Sequence, residues 1–560
     1  MELIVKVNSF LNGIVMGWPG MILLVGTGVY YTIRCGGVQF KWFGYIMKTT
    51  IGKIFEKKEA GEGSVTPFQA VCTALAATVG TGNIAGVTGA IALGGAGAVF
   101  WMWVSAMLGM MTGYAEYLLG NLYRGRKPDG GWQGGAMYYI RDGLSQYPLT
   151  RPLAKPLAAV FAGACVLSAF GMGNLVQMNC AAQAMESGFG IPGIATGIIL
   201  AAITGAVFFL GKGNGAQRTA ALTSRVVPVM SALYIAAAVY ILAVNIPRFP
   251  AVMGTILRSA FGMEAAAGGV NGYMIKQAVS MGFRRGVFSN EAGLGSSVAA
   301  HAASDVSDPC VQGMWSIFEV FFDTIVMCSM TAFVLLGSPC REITAQEAFM
   351  NVTTQPQYFR LTESDQLITS GAPLLTTGAG EEHNLRTARG AEFTVRIGAG
   401  DTTYSNVMKL TGIQSRGSGG ELLWRDGAPL IQSVRLEEVT GAELMTLAFS
   451  SVFGSAAGKL LSAAVALFAF TTVIGWGSFG AQAAEYLAGE RALIPFRSAY
   501  TALAARGGMI DLCAAWGAAD MFNGIMAAVN LPVELIVCCT FIKQTKRSFV
   551  RPESRHIKKS

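Results

Sequence analysis

From residue 12 to residue 541 the chain carries a succession of predominantly apolar runs. Each is close to the roughly 20 residues a helix needs to cross a bilayer. Lipid offers no partner for backbone N–H and C=O groups, so apolar runs of this length fold as helices that satisfy those groups internally. Spans are expected at 12–33, 66–92, 97–122, 154–183, 192–211, 226–246, 267–300, 312–337, 456–486, 494–513 and 517–541. These eleven predict an all-α polytopic membrane protein whose termini lie on opposite sides. A soluble reading would need an unusually oily core, since only 13% of the residues are charged, against about 25% in a soluble domain. The run Leu11–Ile33 follows Glu2 and a single early Lys6. It lacks the basic start and shorter core of a cleaved signal, and reads as a retained first span.

Basic residues set the expected orientation. Arg34, Lys41, Lys48, Lys53, Lys57 and Lys58 follow the first span; Arg124, Arg126 and Lys127 follow the third; Lys212, Arg218 and Arg225 lie between the fifth and sixth. All fall on the side of the C-terminal tail, which carries Lys543, Lys546, Arg547, Arg551, Arg555, Lys558 and Lys559. The positive-inside rule then places the N-terminus outside and the C-terminus in the cytoplasm, as expected of a multi-pass protein of the cell inner (plasma) membrane. The net charge of +8 is thereby assigned to lipid and topology rather than to nucleic acid. The ten Cys form no CxxC pair, and the three His, at 301, 383 and 556, are scattered, so neither a disulfide framework nor a His-based metal site is expected.

The segment Arg341–Val439 breaks the pattern, with many charges and few long apolar runs. Pieces such as Phe393–Ile397 and Gln432–Leu436 read as strands bounded by turn residues. The expected organisation is a first membrane part at 1–340, a small β-rich extracytoplasmic insert at 341–439, a second membrane part at 440–542 and a basic tail at 543–560. Disordered spacer is the alternative for the insert, and an envelope partner for it is not identified by the sequence.

Two spans are interrupted. The second contains Gly80-Thr81-Gly82-Asn83, and the seventh contains Gly282-Phe283-Arg284-Arg285-Gly286 followed by Ser289-Asn290-Glu291-Ala292-Gly293-Leu294-Gly295-Ser296-Ser297. They lie five spans apart, so spans 2–6 and 7–11 form two candidate halves of opposite orientation. Glycine-interrupted spans at matching positions of inverted halves point to a transport site at the bilayer midplane. Close helix packing through small residues is the plainer reading of the same glycines.

The stretches Thr73–Gly86, Gly94–Gly109, Gly134–Ile140, Gly286–Ser296, Ala448–Gly454 and Phe470–Trp476 together resemble the alanine or glycine:cation (sodium:alanine) symporter family. The resemblance covers nearly the whole chain. Arg341–Val439 departs from it, being far longer than the family has there. The resemblance implies a LeuT-type bundle of five plus five inverted helices, and cotransport of alanine, glycine or a similar small neutral amino acid with sodium.

The residues agree with that implication. Free amides around Gly80, Thr81, Gly82 and Asn83 suit a substrate carboxylate without a buried cation. Gln177, which donates and accepts at once, is a candidate substrate contact, as the family also suggests; an interhelical hydrogen bond is the plainer reading. Phe288 and Trp476 are candidate walls of the side-chain pocket, with Ser289 beside Phe288 at the break, and ordinary packing is the alternative for both aromatics. Sodium wants oxygen ligands. Thr471 and Thr472 offer two hydroxyls, and carbonyls near Ala77 and Gly80 would complete the shell; the alternative is that each hydroxyl bonds the carbonyl four residues back. Arg284, Arg285 and Glu291, with Glu319 and Asp323 on the eighth span, suggest an Arg–Glu gate on the cytoplasmic path, or a purely structural pair. The rival function is proton-coupled transport on the same scaffold, with Asp323 as the carboxylate. An enzyme is not expected, since no nucleophile or metal constellation stands out.

Overall fold

The computed structural model describes residues 17–54, 63–127, 130–210, 215–261, 268–337, 452–509 and 512–550, with a few neighbouring positions and the strands between 358 and 439. Helix α1 is Trp18–Arg34. The second span is a bent pair, α2 (Pro67–Thr78) and α3 (Ala85–Gly94). It is followed by α4 (Gly97–Leu122), α5 (Ala136–Leu144), α6 (Arg151–Phe170) and α7 (Gln177–Phe189). Then come α8 (Gly193–Leu210), α9 (Gly215–Val244), α10 (Phe249–Ala260), α11 (Gly268–Asn290) and α12 (Val298–Ala302). The remainder are α13 (Pro309–Val320), α14 (Ser329–Gly337), α15 (Ser455–Ala488), α16 (Leu493–Ala504) and α17 (Leu512–Val550).

Among the described residues seven helices are long and apolar enough to cross a membrane, and the bent pair α2–α3 makes eight. Three of the eleven expected spans fall short. Helix α1 has 17 described residues and α16 has 12. Helix α11 carries Lys276, Arg284 and Arg285 in its 23 residues, a polarity the bundle interior tolerates but lipid does not.

Burial sorts the helices into layers. In the most apolar 18-residue window of Gly458–Ala488 78% of the residues are buried, against 28% in that of Gly193–Leu210. The first is therefore the central helix, with α7, α6 and α2 packed around it. The second presents Ile194, Ile198, Ile199 and Ile203 outward, as a lipid-facing helix should. Helix α4 packs against both α11 and α13. The start of α2 is fixed by a capping box: Gln69 N–H donates to the Thr66 hydroxyl, Thr66 N–H to the Gln69 side chain, and Pro67 follows at the first helical position.

Inter-loop contacts define two faces. On one, Val65 N–H donates to Ala303 O and Asp305 N–H to Val65 O. The Arg124 guanidinium there gathers the Ala302, Ser304 and Val306 carbonyls, and Lys127 pairs with Glu485. On the other, Gly97 N–H donates to Ser259 Oγ at 3.0 Å and Trp101 Nε1 to Ala260 O at 3.2 Å. The basic stretches after the first and third spans thus share a face with the loop before α13 and the end of α15.

Strands also occur. Gly125–Arg126 (β1) pairs with Trp132–Gln133 (β2) on the basic face. Within the expected insert, β3 (Tyr358–Leu361), β4 (Gln366–Thr369), β7 (Val407–Gln414), β8 (Trp424–Arg425) and β9 (Ala428–Val439) form one sheet, and β5 (Glu382–Arg386) with β6 (Glu392–Arg396) a hairpin. The strand-like pieces read at 393–397 and 432–436 fall within β6 and β9, save for residue 397.

Candidate functional site

Helix α2 ends because its next amides are diverted. Gly80 N–H donates to Thr78 O at 2.9 Å and to Asn83 Oδ1 at 3.0 Å. Thr81 N–H turns to Gln177 Oε1 at 3.3 Å, and the Thr81 hydroxyl donates to the same oxygen at 2.8 Å. In a continuing helix these amides would bond the carbonyls of Ala76 and Ala77. The chain instead makes a 3₁₀ turn over Thr81–Asn83 and resumes as α3 at 58°. Only glycine fits at 80: a Cβ there would sit 2.2 Å from Thr472 Oγ1. The absent side chain brings the Thr472 hydroxyl of α15 against the break.

The second break lies later than the glycines of α11 suggest. Gly282 and Gly286 are helical. A Cβ at Gly282 would meet Trp101 Cβ at 2.5 Å, and one at Gly286 the Ser105 side chain at 3.0 Å. These glycines let α11 lie close against α4. The interruption is 291–297, where Glu291, Gly293 and Gly295 all have positive φ. Glu291, at φ 56°, is in the left-handed region that only restraint by its surroundings makes tolerable. Trp476 Nε1 donates to its Oε1 at 2.8 Å, and Ser296 and Ser297 donate to Oε2. Arg284 and Arg285 do not pair with it. Arg285 lies over the Phe288 ring and faces Asp520 of α17, on the side of the break away from the basic loops. Among the described residues no ion pair joins Arg284 or Arg285 to Glu291 or Glu319.

The two breaks are tied together through Asp323. The Asn83 side-chain amide donates to Asp323 Oδ1 at 2.7 Å and to Ser289 Oγ at 3.1 Å. The Ser289 and Thr324 hydroxyls donate to Asp323 Oδ2 at 2.6 and 2.9 Å. Asp323 sits in a π-helical stretch, Phe321–Cys328, between α13 and α14, and Gln177 follows another, Gly171–Val176, between α6 and α7. Such π segments widen a helix locally and recur at functional sites. Neither stretch carries a sequence signal that would have announced it.

Gly80, Thr81, Gly82, Asn83, Gln177, Phe288 and Ser289 thus meet in one buried cluster. The Phe288 ring lies against Gly82, 3.4 Å from where a Cβ would be. Trp476 stacks its stem onto Gly173 of the π segment, opposite Glu291. Ala77 touches Gly475 of α15. Only Thr471 turns elsewhere: its hydroxyl donates to Phe468 O at 2.9 Å and lies 3.6 Å from Met230 Sδ. Thr472 also bonds Phe468 O, at 3.1 Å. Each hydroxyl therefore spends its proton on the helix and keeps lone pairs. A cavity of ≈ 300 Å³ on the basic face, lined by Lys127, Arg218, Glu485 and Arg497, reaches in as far as Gly477 and Ser478, next to Trp476.

The model of the sodium:alanine symporter family matches residues 1–366 and 429–559. The chain belongs to the sodium:alanine symporter family. It is accordingly a multi-pass membrane transporter and not an enzyme. It is 33% identical over 545 residues to a sodium/alanine symporter of Methanococcus maripaludis, covering 97% of this chain and 96% of that one. It is equally 33% identical over 552 residues to an uncharacterized transporter of Haemophilus influenzae, with coverage of 98% and 97%. A probable sodium/glutamine symporter of Bacillus subtilis is 38% identical over 319 residues, 57% of this chain and 62% of that protein. As a sodium:alanine symporter family member, the chain has a break in its match, 367–428, that lies inside the atypical Arg341–Val439 segment.

Proposed function

We propose that this family member carries a small neutral amino acid, alanine or glycine, inward together with sodium by alternating access. The observation that carries the reading is the α2–α3 break: its diverted amides turn to Asn83 and Gln177, its Gly80 lies against Thr472, and Asn83 ties it to Ser289 at the edge of the second break, all in one buried cluster. The amides of Gly80, Thr81 and Asn83 are held by Thr78, Asn83, Gln177 and Gly80; on binding they exchange these acceptors for the substrate carboxylate, and Gln177, released from Thr81, becomes its polar contact. Phe288, Ser289 and Trp476 wall a space for a methyl group. Glutamine, named for one relative, is disfavoured by two large aromatics at the pocket. Sodium, as cargo, is assigned to the Ala77 and Gly80 carbonyls with Thr472 and, from its neighbouring position, Thr471. The framework proposed is a LeuT-type five-plus-five inverted repeat preceded by one extra helix, eleven spans in all, in the inner membrane with the N-terminus outside. The basic-face cavity is then the inward path.

The rival is proton coupling through Asp323. One observation favours it: this carboxylate joins both breaks through Asn83 and Ser289. Uptake of labelled alanine into proteoliposomes separates the two. Uptake should require an inward sodium gradient and build up charge, since a neutral zwitterion moves with a cation. Sodium-independent uptake that follows an imposed pH gradient would establish the rival instead.

A further inference from the structure

A second buried cluster lies apart from these residues, on the basic-face side of the 291–297 break. Glu116 of α4 and Glu534 of α17 are 2% and 0% exposed, and their carboxyls meet at one nitrogen, that of the Asn530 side chain. Glu116 Oε1 accepts Gly295 N–H at 2.7 Å and the Asn530 side-chain amide at 2.7 Å. The same Asn530 nitrogen reaches Glu534 Oε1 at 2.6 Å and Gly293 O at 3.1 Å, while Tyr139 of α5 donates to Asn530 Oδ1. An Asn amide has two hydrogens to give, and here three oxygens crowd it. Glu534 Oε2 is buried with no ordinary donor, as is the Tyr31 hydroxyl of α1. Among the described residues no ion pair reaches either carboxyl. Among the described residues the titratable side chains beside one or the other carboxyl are Tyr31 of α1, Tyr117 of α4 and Tyr139 of α5, none of them cationic. Two adjacent carboxyls without a cation cannot both ionise in such a place.

We propose that Glu116 and Glu534 form a proton-binding site, sharing one proton and, through Asn530, clamping the unwound segment of the seventh span. With the proton, the Glu534 hydroxyl donates to Glu116, and Gly293 and Gly295 stay fixed. Without it, two neighbouring carboxylates repel and the clamp on the break loosens. The other end of that segment holds Trp476 through Glu291. Proton occupancy thus reaches the substrate cluster without touching it. The consequence for transport rests on the reading above; the proton itself does not.

The test is infrared difference spectroscopy of the full chain in lipid, with pH as the variable. The wild type should show a protonated-carboxyl carbonyl band persisting above the ordinary Glu titration near pH 4.3. Glu534→Gln, checked for fold by circular dichroism, should lose that band, and Glu116→Gln supplies the same reading if the first variant does not fold. Saturating sodium at fixed pH should leave the band in place. In proteoliposomes Glu534→Gln, whose amide donates permanently, should flatten the pH profile of uptake while keeping its sodium dependence. An unchanged band in a folded Gln variant overturns the proposal, and so does loss of the band on adding sodium alone, which would make the pair a cation site. Absence of sodium-driven uptake would sink the transport reading and leave the band standing.

Discussion

At Gly80, 2.2 Å separates a would-be Cβ from the Thr472 hydroxyl, too little for any side chain. Gly80→Ala should push Thr472 away from the break, at an overpacking cost of about 1–3 kcal/mol. The sodium concentration for half-maximal uptake should rise roughly tenfold, the lower middle of that range at about 1.4 kcal/mol per decade. Thr472→Val should act in the same direction and Thr471→Val far less, because Thr471 faces Met230. Equal effects of the two in a sodium titration would show that Thr471 reorients to the ion. Gln177→Ala strips the partner from both Thr81 donors. Losing a hydrogen bond to a charged substrate group costs about 1.5–3 kcal/mol, so the alanine concentration for half-maximal uptake should rise about tenfold to a hundredfold. A change below about twofold would leave Gln177 a packing residue. The identity of these residues is legible in the sequence because amides, hydroxyls and glycines inside apolar spans are expensive to place. Their directions are not: adjacent positions on a helix point about 100° apart, and nothing in Thr471-Thr472 says which one faces the break.

Along α11, glycine has two uses that composition does not distinguish. At 293 and 295 it serves positive φ; at 282 and 286 it serves close approach of two helices. The sequence reading of 282–286 as part of the break follows from weak helix propensity, and helix packing overrides it. Gly282→Ala is therefore a test of the packed form. Its Cβ would meet Trp101 Cβ at 2.5 Å and Ala98 O at 2.6 Å. Backbone on one side and a buried stem on the other leave little room to yield, so about 1–3 kcal/mol of destabilisation is expected. Thermal unfolding in detergent should show it as a clear drop in Tm. A mobile hinge at 282 would instead tolerate alanine with an unchanged Tm. The π segments at 171–176 and 321–328 are the elements no reading of the sequence announces. They arise where the one Tyr500 hydroxyl lies within hydrogen-bonding distance of both the Gly173 and Val473 carbonyls and where Asp323 gathers donors from two other elements. These are tertiary contacts with no local pattern.

For the whole molecule, the topology and the insert stand or fall together. Contacts put the basic stretches, the loop before α13 and the end of α15 on one face, and the loops around Gly97 and Ser259 on the other. This two-sidedness was readable from the alternation of lysine and arginine. The span count was less so, because polar α11 and short α16 fall below what an isolated span needs. Arg341–Val439 joins α14 to α15. Helix α14 follows α13 away from the basic face and α15 ends on that face at Glu485, so the end of α14 at Gly337 and the start of α15 at Ser455 lie on the face opposite the basic loops. The family match resumes at 429 without needing 367–428, and the buried cluster around the two breaks draws on none of it. We therefore expect a dispensable extracytoplasmic accessory. Replacing Arg341–Val439 by a short Gly/Ser linker should leave sodium-coupled alanine uptake measurable in proteoliposomes. Single thiols would report the topology after replacing Cys340, Cys513 and Cys539, the last of which is the exposed one among the described cysteines. A membrane-impermeant label added to intact spheroplasts should reach Ser370→Cys in the insert and Ile246→Cys, 65% exposed on the same side, but not Leu149→Cys, 89% exposed on the basic face. The reverse pattern would turn the whole molecule over in the membrane, and a linker variant that folds yet fails to transport would make the insert part of the transport cycle.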